Sequence, residues 1–127
     1  MAALALAACG SDSPKDSVKK TVQTYVDGLG SQDGKKVCDQ LAPSVQNEVK
    51  QRGGAKDCAT AIDNFEKSAT GKAVAPAFKS ATVSTVTLKG DKATAVVSVK
   101  VAGQEANTTV PLEKVNGKWR ITAAAEG

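Results

Sequence analysis

Few residues of this chain can carry covalent or proton-transfer chemistry: Cys9, Cys38, Cys58, Tyr25 and 13 carboxylates, with no histidine at all. Without an imidazole there is no Ser-His-Asp or Cys-His nucleophile system, and the commonest general base and metal ligand are missing. Cys38 and Cys58 do not form a Cys-x-x-Cys motif, and two thiolates without histidine make a poor zinc site. On residue type alone the pair is open to three readings: a structural disulfide, two buried thiols, or redox or metal chemistry. The acids Asp27, Asp33, Asp91, Glu105 and Glu126 fall in expected turns or on polar faces, where no burial tunes a carboxyl for catalysis. Tyr25 is the one polar group expected to point inward, and a lone hydroxyl is not a proton-transfer pair. The chain reads as a non-enzyme that needs no cofactor and no metal. Asn107-Thr108-Thr109 fits a glycosylation sequon, but nothing else in the sequence supports its use.

Composition bounds the rest. Hydrophobic residues make up 41% and charged residues 24%, as in an ordinary globular domain. The aromatics are only Tyr25, Phe65, Phe78 and Trp119, so the core must be built from Val, Leu, Ile and Ala. The net charge of +4 comes from lysines and arginines scattered along the chain, without the dense basic stripe and interleaved aromatics of a nucleic-acid binder. No stretch approaches the roughly 18 consecutive apolar residues of a membrane span.

The third cysteine closes a short apolar run, Leu6-Ala7-Ala8-Cys9, and a polar stretch, Gly10-Ser11-Asp12-Ser13, follows at once. This resembles the lipobox of bacterial lipoproteins, in which the cysteine is acylated and the chain is cut just before it. The resemblance implies a signal at residues 1–8, a lipidated Cys9, a tether over 9–13 and a domain over 14–127. No Lys or Arg precedes Cys9 and the apolar run is short, so the signal reads as truncated. An anchored chain would face the extracytoplasmic side of a bacterial membrane. In such an oxidising place an even pair of cysteines reads as a disulfide, which makes Cys38–Cys58 the expected bridge.

These residues must be positioned by helices first and strands after. Ser13-Pro14-Lys15-Asp16 is a helix start, and Val18, Val22, Tyr25, Val26 and Leu29 form one apolar face. Gly28 and Gly30 predict that this helix stops near Leu29. Asp33 caps a short helix carrying Val37, Cys38 and Leu41 inward. A third begins at Ser44, with Val45 and Val49 on one side, and breaks at Gly53-Gly54. Residues 55–69 predict a further helix with Cys58, Ile62 and Phe65 inward. Residues 70–77 read as a connector because of Gly71 and Pro76. From Phe78 the period becomes two: a strand over 78–88, a turn at Lys89-Gly90-Asp91-Lys92, and a strand over 93–101 whose Ala93, Ala95, Val97, Val99 and Val101 share a face. A strand over 104–115 follows, with Pro111 arguing for an edge or a bulge. Asn116-Gly117 predicts a tight hairpin into 118–123, where Trp119 and Ile121 point the same way.

Helices followed by a meander that ends in Val115-Asn116-Gly117-Lys118-Trp119-Arg120-Ile121 resemble the nuclear-transport-factor-2-like superfamily, and within it the small lipoproteins of actinobacteria. The resemblance implies an α+β fold: N-terminal helices on a curved antiparallel sheet of about four strands, shaped as a cone. It implies a ligand pocket lined by Tyr25, Leu29, Phe65, Phe78, Val97, Val99 and Trp119; on residue type alone the other reading is that these side chains simply fill the core and the cone closes on itself. The expected partners are the membrane, through an acyl anchor on Cys9, and either a small apolar ligand in the cone or an envelope protein. Two alternatives stand beside this binding domain: a degenerate cone-fold isomerase or dehydratase, and a structural envelope antigen without ligand.

Overall fold

The computed structural model describes residues 13–101 and 103–123. The expected signal at 1–8, the expected acylation site at Cys9 and the expected tether before Ser13 lie outside the described residues. Among the described residues, five helices precede a four-stranded antiparallel meander of order β1-β2-β3-β4. This is the α+β architecture expected.

Helix α1, Pro14–Ser31, starts where the sequence sets it, with the Ser13 side chain accepting from the Asp16 N–H. Val18, Val22 and Val26 are fully buried against the sheet and Tyr25 nearly so. The helix does not stop at Leu29. Its two late glycines serve close packing instead: a Cβ on Gly28 would come 2.8 Å from Val37 Cγ2, and one on Gly30 would come 3.0 Å from the Lys79 backbone N. Termination falls to Gln32, in a left-handed conformation at φ 59°.

Asp33 caps α2, Gly34–Asp39, by accepting from the Lys36 N–H. Helix α3, Pro43–Gly53, ends at left-handed Gly54. Helix α4 is shorter than expected, Cys58–Lys67, because Asp57 caps it through the Thr60 N–H. Cys38 of α2 and Cys58 of α4 form the expected disulfide, with Cα atoms 6.1 Å apart. A loop of this size contributes about 3 kcal/mol in the chain-entropy picture.

Further expectations need correction. The connector at 70–77 is helical: α5, Ala69–Lys79, is capped by the Ser68 side chain accepting from the Gly71 N–H and holds Pro76 inside it. Alanines at 69, 73, 75 and 77 supply enough helix propensity to carry one lost backbone bond. Phe78 therefore closes a helix, and β1 begins at Thr82 rather than at 78. Finally, Val101 is 55% exposed because β2, Lys92–Val101, runs past the end of the helical layer.

The turns follow the sequence closely. Gly90 takes φ 63° between β1, Thr82–Lys89, and β2, while Asn116 and Gly117 take φ 51° and 80° between β3, Gln104–Val115, and β4, Lys118–Ile121. Pro111 sits in an interior strand, not an edge. Its carbonyl accepts from the Thr122 N–H, so its donorless nitrogen faces the side where β4 has already ended at Ile121. Thr122 lies just past that end and pairs through one bond only, since residue 111 has no N–H to return. Beyond β4 the edge is closed by residues 40–42: the Ile121 N–H donates to the Gln40 carbonyl at 2.8 Å, and the Ala42 N–H donates to the Ile121 carbonyl at 2.8 Å.

Candidate functional site

The space between α1 and the concave sheet face is filled. Val97, Val110, Ala95 and Ile121 are fully buried beside Leu112, and they pack against the α1 valines. Of the residues expected to line a pocket, Tyr25, Val97 and Trp119 are core, and Leu29, Phe78 and Val99 are half-buried against it. Phe65 is not brought in: it is 44% exposed. Helix α4 turns Cys58, Ala61 and Glu66 to the interior, so the face runs i, i+3, i+8 and leaves Phe65 outside. None of the three main clefts among the described residues is lined by Tyr25, Leu29, Phe65, Phe78, Val97 or Val99.

Trp119 alone reaches a cleft. About 650 Å³ opens between the first half of α1 and the end of the β3–β4 hairpin, lined by Ser17, Lys20, Thr21 and Thr24 on one wall and by Lys114, Lys118, Trp119 and Arg120 on the other, with Gln40 between them. That volume is within the range of small-molecule sites, roughly 300–1,000 Å³. The walls hold four cations, three hydroxyls and no carboxylate. Lys114 and Trp119 are direct cross-strand partners, and the Lys114 ammonium lies 5.6 Å from the indole centroid. The Arg120 guanidinium donates to the Trp119 carbonyl at 3.1 Å, which holds it at the strand edge. Ile121 points its N–H and carbonyl at residues 40–42, and strand alternation turns the Trp119 N–H to that same edge.

The second unusual residue is Glu66, which sequence reasoning passed over. It is 3% exposed, and neither carboxylate oxygen has a hydrogen-bond partner among the described residues. Burial, with Asp63 and Asp33 nearby, raises its pKa from 4.5 to about 7. The junction around it is tight. A Cβ on Gly71 would come 2.7 Å from Glu66 Cα, and Gln32 Nε2 donates to the Glu66 carbonyl at 2.8 Å. A perturbed buried carboxyl is a candidate functional group. Glu66 lines none of the three clefts.

Among solved structures, the fold is similar to that of a nuclear-transport-factor-2-like protein with a cystatin-like fold from Novosphingobium aromaticivorans, at 17% identity, TM-score 0.53, over 95% of this chain and 83% of that one. It is also similar to a "putative NTF2-like transpeptidase" from Campylobacter jejuni, at 20% identity, TM-score 0.57, over 89% and 100% of the two chains. A "putative ketosteroid isomerase" from Kribbella flavida matches at 19% identity, TM-score 0.50, over 89% and 80%. These likenesses carry the fold alone. No curated protein matches the sequence. The family model described as "Putative lumazine-binding" matches residues 13–125, which take in all the described residues. The chain belongs to that lumazine-binding-like family, built on the nuclear-transport-factor-2-like fold.

Proposed function

We propose that this chain is a non-catalytic binding domain, held at the outer face of a bacterial membrane by acyl chains on Cys9, whose ligand seats in the cleft between α1 and the β3–β4 hairpin. The observation that carries the reading is the contrast between a filled interior and that open concavity of about 650 Å³. The family's description as lumazine-binding supports a ligand-binding role over a purely structural one. The Leu6-Ala7-Ala8-Cys9 run and the Cys38–Cys58 bridge support an exported, oxidised location. No helix among the described residues is long and apolar enough to cross a membrane, so attachment rests on the lipid. The test is palmitate-analogue labelling of the full chain in a bacterium that acylates lipoproteins. Label in the membrane fraction, lost in Cys9→Ser, is expected. Full-length, unlabelled chain in the soluble fraction overturns the anchor.

A second reading, a cone-fold isomerase, has one observation in its favour: the raised pKa of Glu66 suits a proton carrier, and one structural neighbour is described as an isomerase. Deuterium exchange at the α-carbon of a simple ketone, catalysed by the full chain and lost in Glu66→Gln, supports it; exchange at the buffer rate removes it.

A further inference from the structure

We infer that the cleft between α1 and the β3–β4 hairpin takes a multiply charged anionic group of phosphate type. This rests on the cleft being the binding site and adds the chemistry of what enters it.

The charge distribution is the first argument. Lys20, Lys114, Lys118 and Arg120 all line one concavity, and no Asp or Glu lines it with them. The net charge of the whole chain is +4, so a surplus equal to that total is gathered at one place. The ion pairs among the described residues are Lys35–Asp39, Arg52–Glu48 and Lys92–Glu113, and none involves these four. Glu113 stands directly across from Arg120 in the ladder, yet its Oε2 lies 3.8 Å from Lys92 on the opposite neighbour strand. Four like charges held together without counter-charge repel one another, and a bound anion relieves that repulsion.

Geometry is the second. Two of the cations are held rather than free: Lys114 against the Trp119 ring and Arg120 on the Trp119 carbonyl. Holding them in advance lowers the ordering cost when a ligand arrives. The facing wall supplies donors that suit phosphate oxygens, the hydroxyls of Ser17, Thr21 and Thr24. The Trp119 N–H, turned to the strand edge, adds a backbone donor. A single carboxylate would answer one cation of the four, whereas a diphosphate or a phosphate-rich headgroup answers three or more.

The same chemistry has two sources, a soluble phosphate ester or the headgroup of an anionic lipid. Trp119 is the only tryptophan, so its fluorescence reports the cleft directly. The full chain is titrated at low salt with inorganic pyrophosphate, and separately with cardiolipin-containing and pure phosphatidylcholine vesicles. Saturable quenching or enhancement by pyrophosphate is expected, weakened about fivefold for each charge removed in Lys20→Gln, Lys114→Gln and Lys118→Gln. Lys35→Gln and Lys56→Gln, on distant exposed sites, should leave it unchanged. A response to cardiolipin alone, lost in the same three variants, assigns the phosphates to lipid and also supports the inference. Absence of saturation with both phosphate probes overturns it, as does equal weakening in the two control variants. Nile red, an uncharged dye, is the separating probe. If it saturates at Trp119 while both phosphate probes fail, the anion is refuted and the cleft stands as a site. Failure of all the probes takes the cleft down too.

Discussion

Replacing Glu66 by glutamine should make this domain more stable, and only above acidic pH. The side chain is 3% exposed and its oxygens lack hydrogen-bond partners among the described residues, so the charged form is disfavoured in the folded protein. Its pKa rises from 4.5 to about 7. Below the unfolded value both states are protonated and the group contributes nothing. Between 4.5 and about 7 the unfolded chain ionises while the folded one stays neutral, so stability falls as pH rises. Above 7 the loss levels off at about 3 kcal/mol, since each tenfold change in proton affinity between the two states is worth about 1.4 kcal/mol. Glutamine has nearly the same shape and no charge. Urea unfolding followed by Trp119 fluorescence should therefore give equal midpoints for wild type and Glu66→Gln at pH 4, and a gap that widens to about 3 kcal/mol by pH 8.5. In thermal melts that gap is about 10 °C for a domain of this size. Parallel curves, with the same difference at every pH, would refute a buried neutral carboxyl.

The bridge gives a second expectation. Cys38→Ala and Cys58→Ala should each cost about 3 kcal/mol, and the double variant no more than either, whereas additive losses in denaturant titrations would argue against the pair acting as one unit. Gly71→Ala places a methyl group against the Phe65 carbonyl and Glu66 Cα, so it should cost more than about 2 kcal/mol by the same titration. Gly54→Ala is the contrast: nothing lies within 4 Å of its Cβ position, and only the left-handed φ of 59° is strained, so about 1 kcal/mol is expected.

What could be read from the sequence was local. Capping residues at Ser13 and Asp33 and the dipeptide Asn116-Gly117 each determine their own backbone, so α1, α2 and the last hairpin start where expected. Glycine and proline misled wherever tertiary packing set their role. Gly28 and Gly30 read as a helix end but are points of close approach, and Pro76 read as a break but sits inside α5. The cleft was not legible because its walls come from residues 14–24, 40 and 114–120, which meet only once the sheet has closed on α1. Glu66 escaped because helical periodicity favoured its aromatic neighbour Phe65 for the interior, while the close Gly71 contact that draws the backbone inward belongs to the next helix.

The clasp between β4 and residues 40–42 has a consequence for how the protein comes into being. Those hydrogen bonds join chain positions some eighty residues apart, and they cannot form until the final strand exists. Until that strand pairs, the Gln40 carbonyl and the Ala42 N–H lack these partners, so this edge of the helical half is joined to the sheet by a late, non-local contact.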